Sequence, residues 1–259
     1  MGKCFNTTGL CYPEEHYMVN MDKRLQEIRQ LIDGGKYFII NRARQYGKTT
    51  TINLLEQRLA EKYCVLSISF EGLEKEVYDT ATSFCQRIYG LFKDAMDLSG
   101  IKTIPESIRN ECERNSVSID GTASMYHLSD FISRMCAEAG KPVVLIIDEV
   151  DQAGGQEIFI TFLGMLRKKF LMRKKQRTFQ SVILAGIYDI KNLKLKVRPE
   201  PEHQYNSPWN IAADFNVDMS FSAFDIAGML KEYENDYHTG MNVTTIAEMI
   251  YEYTDGYPF

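Results

Sequence analysis

Val143-Val144-Leu145-Ile146-Ile147 is an unbroken apolar run that leads straight into Asp148 and Glu149. A strand with one wet face alternates apolar and polar residues, because successive side chains point to opposite faces. A continuous run bounded by polar residues therefore predicts a strand covered on both sides, the pattern of a parallel sheet layered between helices. It is too short to cross a membrane, and no other apolar run in the chain approaches the roughly 18 residues that a span needs.

Other segments fit the same architecture. Tyr37–Ile40, Cys64–Phe70, Phe179–Ile187 and Asp214–Met219 read as further strands. Helices are expected over residues 20–34, from Thr49 onward, and over 76–98, 124–138, about 156–175, 222–235 and 243–253. The polar stretch 103–122 reads as loop, as does the proline-containing stretch 189–213. Strands alternating with helices predict an α/β fold with a mostly parallel sheet covered on both faces. The chain has 259 residues, 44% hydrophobic and 25% charged, which suits one large domain plus a small lobe. The boundary is expected near residue 220, with a core over 1–220 and a small helical lobe over 221–259.

The Tyr37–Ile40 strand runs into Asn41-Arg42-Ala43-Arg44-Gln45-Tyr46-Gly47-Lys48-Thr49-Thr50, and an amphipathic helix follows. Gly47-Lys48-Thr49 ends a Walker A pattern. Glycine lets backbone amides curl around phosphate oxygens, lysine brings charge to the β and γ phosphates, and the hydroxyl ligates magnesium. The helix N-terminus adds its dipole. In this reading Arg44, Gln45, Tyr46, Gly47, Lys48, Thr49 and Thr50 form the nucleotide-binding set, and Thr50 is placed to reach the α phosphate. The full pattern expects glycine where Arg42 stands, so the match is partial. Arg42 and Arg44 are expected to meet phosphate, to pair with Asp148 or Glu149 before nucleotide arrives, or to hold the loop as a surface pair.

The Val143–Ile147 run followed by Asp148-Glu149 matches Walker B. Asp148 is expected to hold magnesium with Thr49, and Glu149 to activate water as general base. The bland reading of two carboxylates after a strand is helix capping. Asp151 has the same two readings, capping of the next helix or assistance at the magnesium. An acidic residue directly after the Walker B aspartate belongs to folds with an extra strand between the two Walker strands. Phe179–Ile187 fills that place, and Tyr188 or Asp189 at its tip is the sensor candidate, although the usual Asn, Ser or Thr is missing.

The formal net charge is −5, so any nucleic-acid contact needs a local patch. The one candidate is Arg167, Lys168, Lys169, Arg173, Lys174, Lys175 and Arg177, seven basic residues within eleven. It reads either as a solvated helix end favoured by the dipole, or as a functional patch in which Arg167 and Arg173 are arginine-finger candidates for a neighbouring subunit. The six cysteines show neither a C-x-x-C pair nor zinc spacing, which predicts reduced thiols and a cytoplasmic setting. Met1–Phe5 lacks the apolar core of a signal peptide. Asp255–Phe259, a helix stop with nothing after it, reads as a chain cut within its lid.

The segment Asn41–Thr49 resembles the arginine-containing Walker A of bacterial AAA-like ATPases, near the STAND and archaeal-type ATPases of the AAA+ assemblage. There the first glycine is often replaced, as at Arg42. Phe5–Gly9 with Tyr17–Val19, Ser207–Ile211 and Asp255–Pro258 are similar to other motifs of that group. The resemblance covers nearly the whole chain. It implies ATP and magnesium, a sheet of order 5-1-4-3-2, a lid after residue 220, and adenine near Tyr17–Val19. It also implies a C-terminal effector region; self-association is the expectation that goes with the arginine-finger reading of Arg167 and Arg173. The expected activity is ATP hydrolysis that moves the lid. The alternatives are an ATP-dependent binding switch with little turnover, and a DNA-associated regulatory module.

Overall fold

The computed structural model describes residues 2–7, 9–118, 123–187 and 209–258. They divide into two compact units: Leu31–Asn41 with Arg58–Phe215, and Met1–Gln30 with Arg42–Gln57 and Asn216–Phe259.

The first unit holds the sheet. Strands β1 (Phe38–Asn41), β2 (Cys64–Ser69), β3 (Val143–Asp148) and β4 (Ser181–Gly186) are all parallel, in the order β1-β4-β3-β2. Every residue of β3 and β4 is buried, which is why both read as continuous apolar runs. Register sets Asn41 beside Gly186 and Ser69 beside Asp148, so the C-terminal tips of all four strands form one edge. The expected fifth strand at 214–219 does not form. The order 5-1-4-3-2 is kept except for its first member, of which an isolated parallel bridge between Phe38 and Ala213 remains. Phe215 stacks on Phe38 at 5.8 Å, so side-chain packing replaces the rest of that ladder.

Around the sheet lie α3 (Ala81–Leu98), α4 (Glu106–Ser116), α5 (Met125–Glu138) and α6 (Glu157–Met172). Thr80 and Ser83 cap α3 reciprocally, and its apolar face, Phe84, Ile88, Leu91, Phe92 and Met96 among it, joins the core. Helix α4 corrects the expectation of a loop over 103–122. Its sequence is polar because only Ile108 and Cys112, one turn apart, face inward. The gap to α5 is closed by Arg134, whose guanidinium grips Glu111 with two bonds of 2.6 Å.

The second unit joins the N-terminal segment, most of α1 (Asp22–Asp33) and most of α2 (Lys48–Leu59) to α7 (Ala223–Tyr237) and α8 (Val243–Thr254). Ser222 and Asp225 form a capping box at α7, and Asn242 caps α8. Ile226, Leu230 and Ala247 make the small core between these two helices. Phe5, Tyr17, Tyr233 and Tyr237 pack ring against ring, and the Tyr17 hydroxyl donates to Asp236 at 2.7 Å. Burial and that carboxylate both raise the Tyr17 pKa. Of the opening segment's aromatics Tyr17 is buried in this cluster, while Phe5 packs on it and stays exposed, as does Tyr12.

Candidate functional site

The loop after β1 turns through two left-handed residues. Gly47 is left-handed at φ 69° and Gln45 at φ 60°. Nothing crowds the place where a Gly47 Cβ would sit, so its requirement is conformational. The buried Lys48 turns its Nζ back into the loop and donates to the carbonyls of Arg42 and Ala43, both at 2.9 Å. The loop's own carbonyls thereby hold its ammonium.

The neighbouring residues have distinct places. Thr51, absent from the expected set, ties its hydroxyl to the Gly47 carbonyl at 2.8 Å and fixes the first turn of α2. Thr50 Oγ1 accepts from the Cys11 amide at 3.3 Å, which anchors the N-terminal segment on that turn. Thr49 lies in the same turn. Arg42 donates to the Val217 carbonyl at 2.9 Å. The Arg44 carbonyl accepts from the Tyr257 hydroxyl. Tyr46 packs edge-on against Tyr257 at 5.0 Å and shares a 3.0 Å hydrogen bond with Ser220.

At the tip of β3 the two carboxylates differ. Asp148 is buried and its Oδ1 accepts from the Glu149 amide at 2.9 Å. Glu149 is left-handed, with φ 52° and ψ 38°. Glutamate rarely adopts this conformation, and such strain, about 1–3 kcal/mol, collects where side-chain direction matters. The turn aims Glu149 away from the strand axis and leads into a 3-10 turn, Val150–Ala153.

Asp151 lies in that 3-10 turn and does not cap α6, whose N-cap is Gln156. Its Oδ2 accepts from the Ile187 amide at 2.5 Å, just beyond β4. A Cβ on Gly186 would come within 2.8 Å of that oxygen and 2.9 Å of Val150 Cγ2. Glycine at 186 therefore lets the turn after β3 close on the end of β4. The sensor candidate Tyr188 lies outside the described residues.

The basic run separates into different environments. Helix α6 starts at the strand-tip edge and descends about 24 Å at 1.5 Å per residue, so its end lies toward the opposite edge. Arg167 donates to Asn210 at 2.8 Å, and Arg173 sits 3.7 Å over the Phe170 ring. Lys169 is buried, with Nζ 2.5 Å from Ser133 Oγ, and burial lowers its pKa. Lys168, Arg173, Lys174, Lys175 and Arg177 are exposed.

Sequence reasoning missed Arg24, which is buried on α1. It donates to the carbonyls of Asp218 at 2.9 Å and Ser220 at 2.6 Å, pairs with Asp225 at 2.9 Å, and covers the Phe221 ring. An arginine on an amphipathic helix gives no sign of this, because its partners are backbone carbonyls about 195 residues away. None of the described helices is long and apolar enough to cross a membrane. Among the described residues, no group of three or more His, Cys, Asp or Glu could hold a metal. A magnesium held by one hydroxyl, one carboxylate and phosphate oxygens would not form such a group.

Residues 14–195 match the family described as "Predicted AAA-ATPase" (AAA-ATPase-like). The chain belongs to this AAA-ATPase-like family. Its fold agrees with that membership. The Walker-type ATPase PABY2304 of Pyrococcus abyssi aligns over 98% of this chain and 67% of its own length, at a TM-score of 0.61 and 13% identity. The Aeropyrum pernix Orc1 protein in complex with DNA aligns over 85% of this chain and 50% of its own, at a TM-score of 0.49 and 10% identity. Cdc6p from Pyrobaculum aerophilum aligns over 84% and 50%, at 0.41 and 15%. The AAA-ATPase-like chain thus spans about half to two thirds of these structures. No curated protein matches it.

Proposed function

We propose that this AAA-ATPase-like chain binds ATP with magnesium and hydrolyses it. The observation that carries the reading is the formed loop: Lys48 Nζ bridging the Arg42 and Ala43 carbonyls around a left-handed Gly47. A surface turn before an ordinary helix has no reason to bury a lysine there, because burying an ammonium is costly.

In this reading the amides of residues 44–50 and the Lys48 ammonium take the β and γ phosphates. Thr49 and Asp148 would hold magnesium, which would supply charge compensation for the phosphates. Glu149 takes a proton from the attacking water as the γ phosphoryl leaves. Asp148 is suited to its role by being buried at a strand tip, with one oxygen already held by the Glu149 amide. Glu149 is suited by a backbone that turns it out of the strand. Asn41, the last residue of β1 before the loop, has Gly186 as its register partner, and Gly186 lies against the Asp151 turn that follows Asp148 and Glu149. Turnover then moves α7 and α8, which share a compact unit with the loop. The core over 1–220 and the lid over 221–259 act as the two working parts, the lid passing its movement to any effector.

Thermal-shift titration with ATP, GTP and magnesium tests binding. At a hundred times Kd, a ligand stabilises by about 2.7 kcal/mol, a midpoint rise of roughly 5–10 °C for a chain of this size. Lys48→Ala should abolish the rise. A wild-type protein whose midpoint ignores every nucleoside triphosphate sinks the reading. Glu149→Gln then separates an ATPase from a binding switch: in an ATPase it retains ATP while turnover falls at least a hundredfold, and in a switch it changes little.

A further inference from the structure

The contacts of Tyr46 and Tyr257 run from the phosphate loop to both ends of the lid. Tyr46 immediately precedes Gly47. Its hydroxyl meets Ser220 Oγ at 3.0 Å, three residues before α7 begins, and its ring meets Tyr257, three residues after α8 ends. The Tyr257 hydroxyl returns to the loop and donates to the Arg44 carbonyl.

The two lid ends are themselves joined. The Phe221 amide donates to the Gly256 carbonyl at 2.7 Å, and a Cβ on Gly256, at φ 73°, would come within 2.2 Å of the Phe221 carbonyl oxygen. Arg24 holds the same corner through Asp218, Ser220 and Asp225. A shift of the loop at residues 44–46 therefore reaches α7 and α8 through two hydroxyls and one ring pair onto a corner that has no slack.

We propose that Tyr46 and Tyr257 are positioning residues that couple phosphate binding in the loop to the placement of α7 and α8. The inference rests on the nucleotide reading above. Phosphate seated in the loop fixes residues 44–47, and the two tyrosines pass that fixation to Ser220 and to Gly256-Tyr257. The coupling is reciprocal, as linkage requires, so a lid freed from the loop also holds nucleotide less well. Tyr46 matters through its hydroxyl and ring, Tyr257 mainly through its hydroxyl, and neither need touch the reacting atoms.

The test uses the full chain and Tyr46→Phe, Tyr257→Phe and Ser220→Ala, each with and without ATP and magnesium. Amide hydrogen exchange is read separately at the loop and at α7–α8, and ATP release is timed. Wild type should gain protection at both places. Each variant should keep ATP-induced protection at the loop, lose most of it at α7–α8, and release ATP about five times faster, the worth of one hydrogen bond. Ser220→Ala should match Tyr46→Phe, and the two combined should be no worse than either alone.

Variants with wild-type lid protection and wild-type release overturn the coupling and leave nucleotide binding intact. Absent protection at the wild-type loop overturns the nucleotide reading, and the coupling with it. Unchanged melting of the nucleotide-free variants separates these outcomes from simple misfolding.

Discussion

The Asp151 carboxylate accepts the Ile187 amide at 2.5 Å across a gap that only glycine at 186 leaves open. The turn carrying Asp148 and Glu149 is in this way fastened to the end of the neighbouring strand. Gly186→Ala places a methyl within 2.8 Å of the carboxylate and should cost about 1–3 kcal/mol. Asp151→Ala leaves a partly buried amide without its acceptor and should cost a similar amount. Urea unfolding measures both. The two changes act on one contact, so their sum should exceed the cost of the double variant.

Glu149 holds a left-handed backbone that costs a non-glycine residue of order 1 kcal/mol or more. Glu149→Gly relieves that strain but adds freedom to the unfolded chain, about 0.5–1 kcal/mol. The variant should be no less stable than wild type in urea and should lose turnover, whereas an ordinary helix-capping carboxylate would lose stability on removal. A clear loss of stability in Glu149→Gly would count against a functional reason for this conformation.

Asp225 links pH to the integrity of the α7 N-terminus. Burial alone would raise its pKa, but the Ser222 amide, the Arg24 guanidinium and the Ser222 hydroxyl outweigh it and hold it below the usual carboxylate value. A depressed carboxyl stabilises the fold above the unfolded-state pKa, near 4, and loses that contribution as pH falls through its lower folded value. Wild type should therefore lose stability on acidification in this range. Asp225→Asn should start less stable at neutral pH and show a shallower acid loss, read from melting midpoints across a pH series.

Lys169 is buried on Ser133, and burial lowers its pKa. A lysine depressed in the fold opposes folding while it must stay charged, and the penalty fades as pH rises through the folded pKa. Lys169→Met keeps the volume and removes the charge, so it should melt at or above wild type near neutrality. The gap should narrow at alkaline pH. Arg173→Met, by contrast, removes an exposed cation stacked on Phe170 and should change stability by less than about 1 kcal/mol.

Much of the α/β layering was legible because the buried strands are apolar throughout and the helices show a stripe at helical spacing. Val143–Asp148 and Ser181–Gly186 were found within two residues of their ends by that rule. Helix α4 was missed because Ile108 and Cys112 are its only buried side chains, too few to register against a polar background. The fifth strand was over-read. Residues 214–219 carry an alternating pattern, but a single bridge at Ala213 and the stacking of Phe215 on Phe38 take the place of a ladder. The turn at Gly47 was readable by residue type, whereas the Arg42 bond to the Val217 carbonyl and the Tyr257 bond to the Arg44 carbonyl were not.

The sequence by itself determined which residues could serve phosphate, magnesium and water, because those chemistries need glycine, lysine, a hydroxyl and carboxylates beside a strand end, and such requirements are local. Only the tertiary structure decided what holds them in place. Arg24 on the Asp218 and Ser220 carbonyls, Asp151 on the Ile187 amide and Tyr257 on the Arg44 carbonyl all join residues far apart in the chain. Each uses a backbone group as one partner. Backbone groups are the same at every residue, so no pattern of side chains announces them.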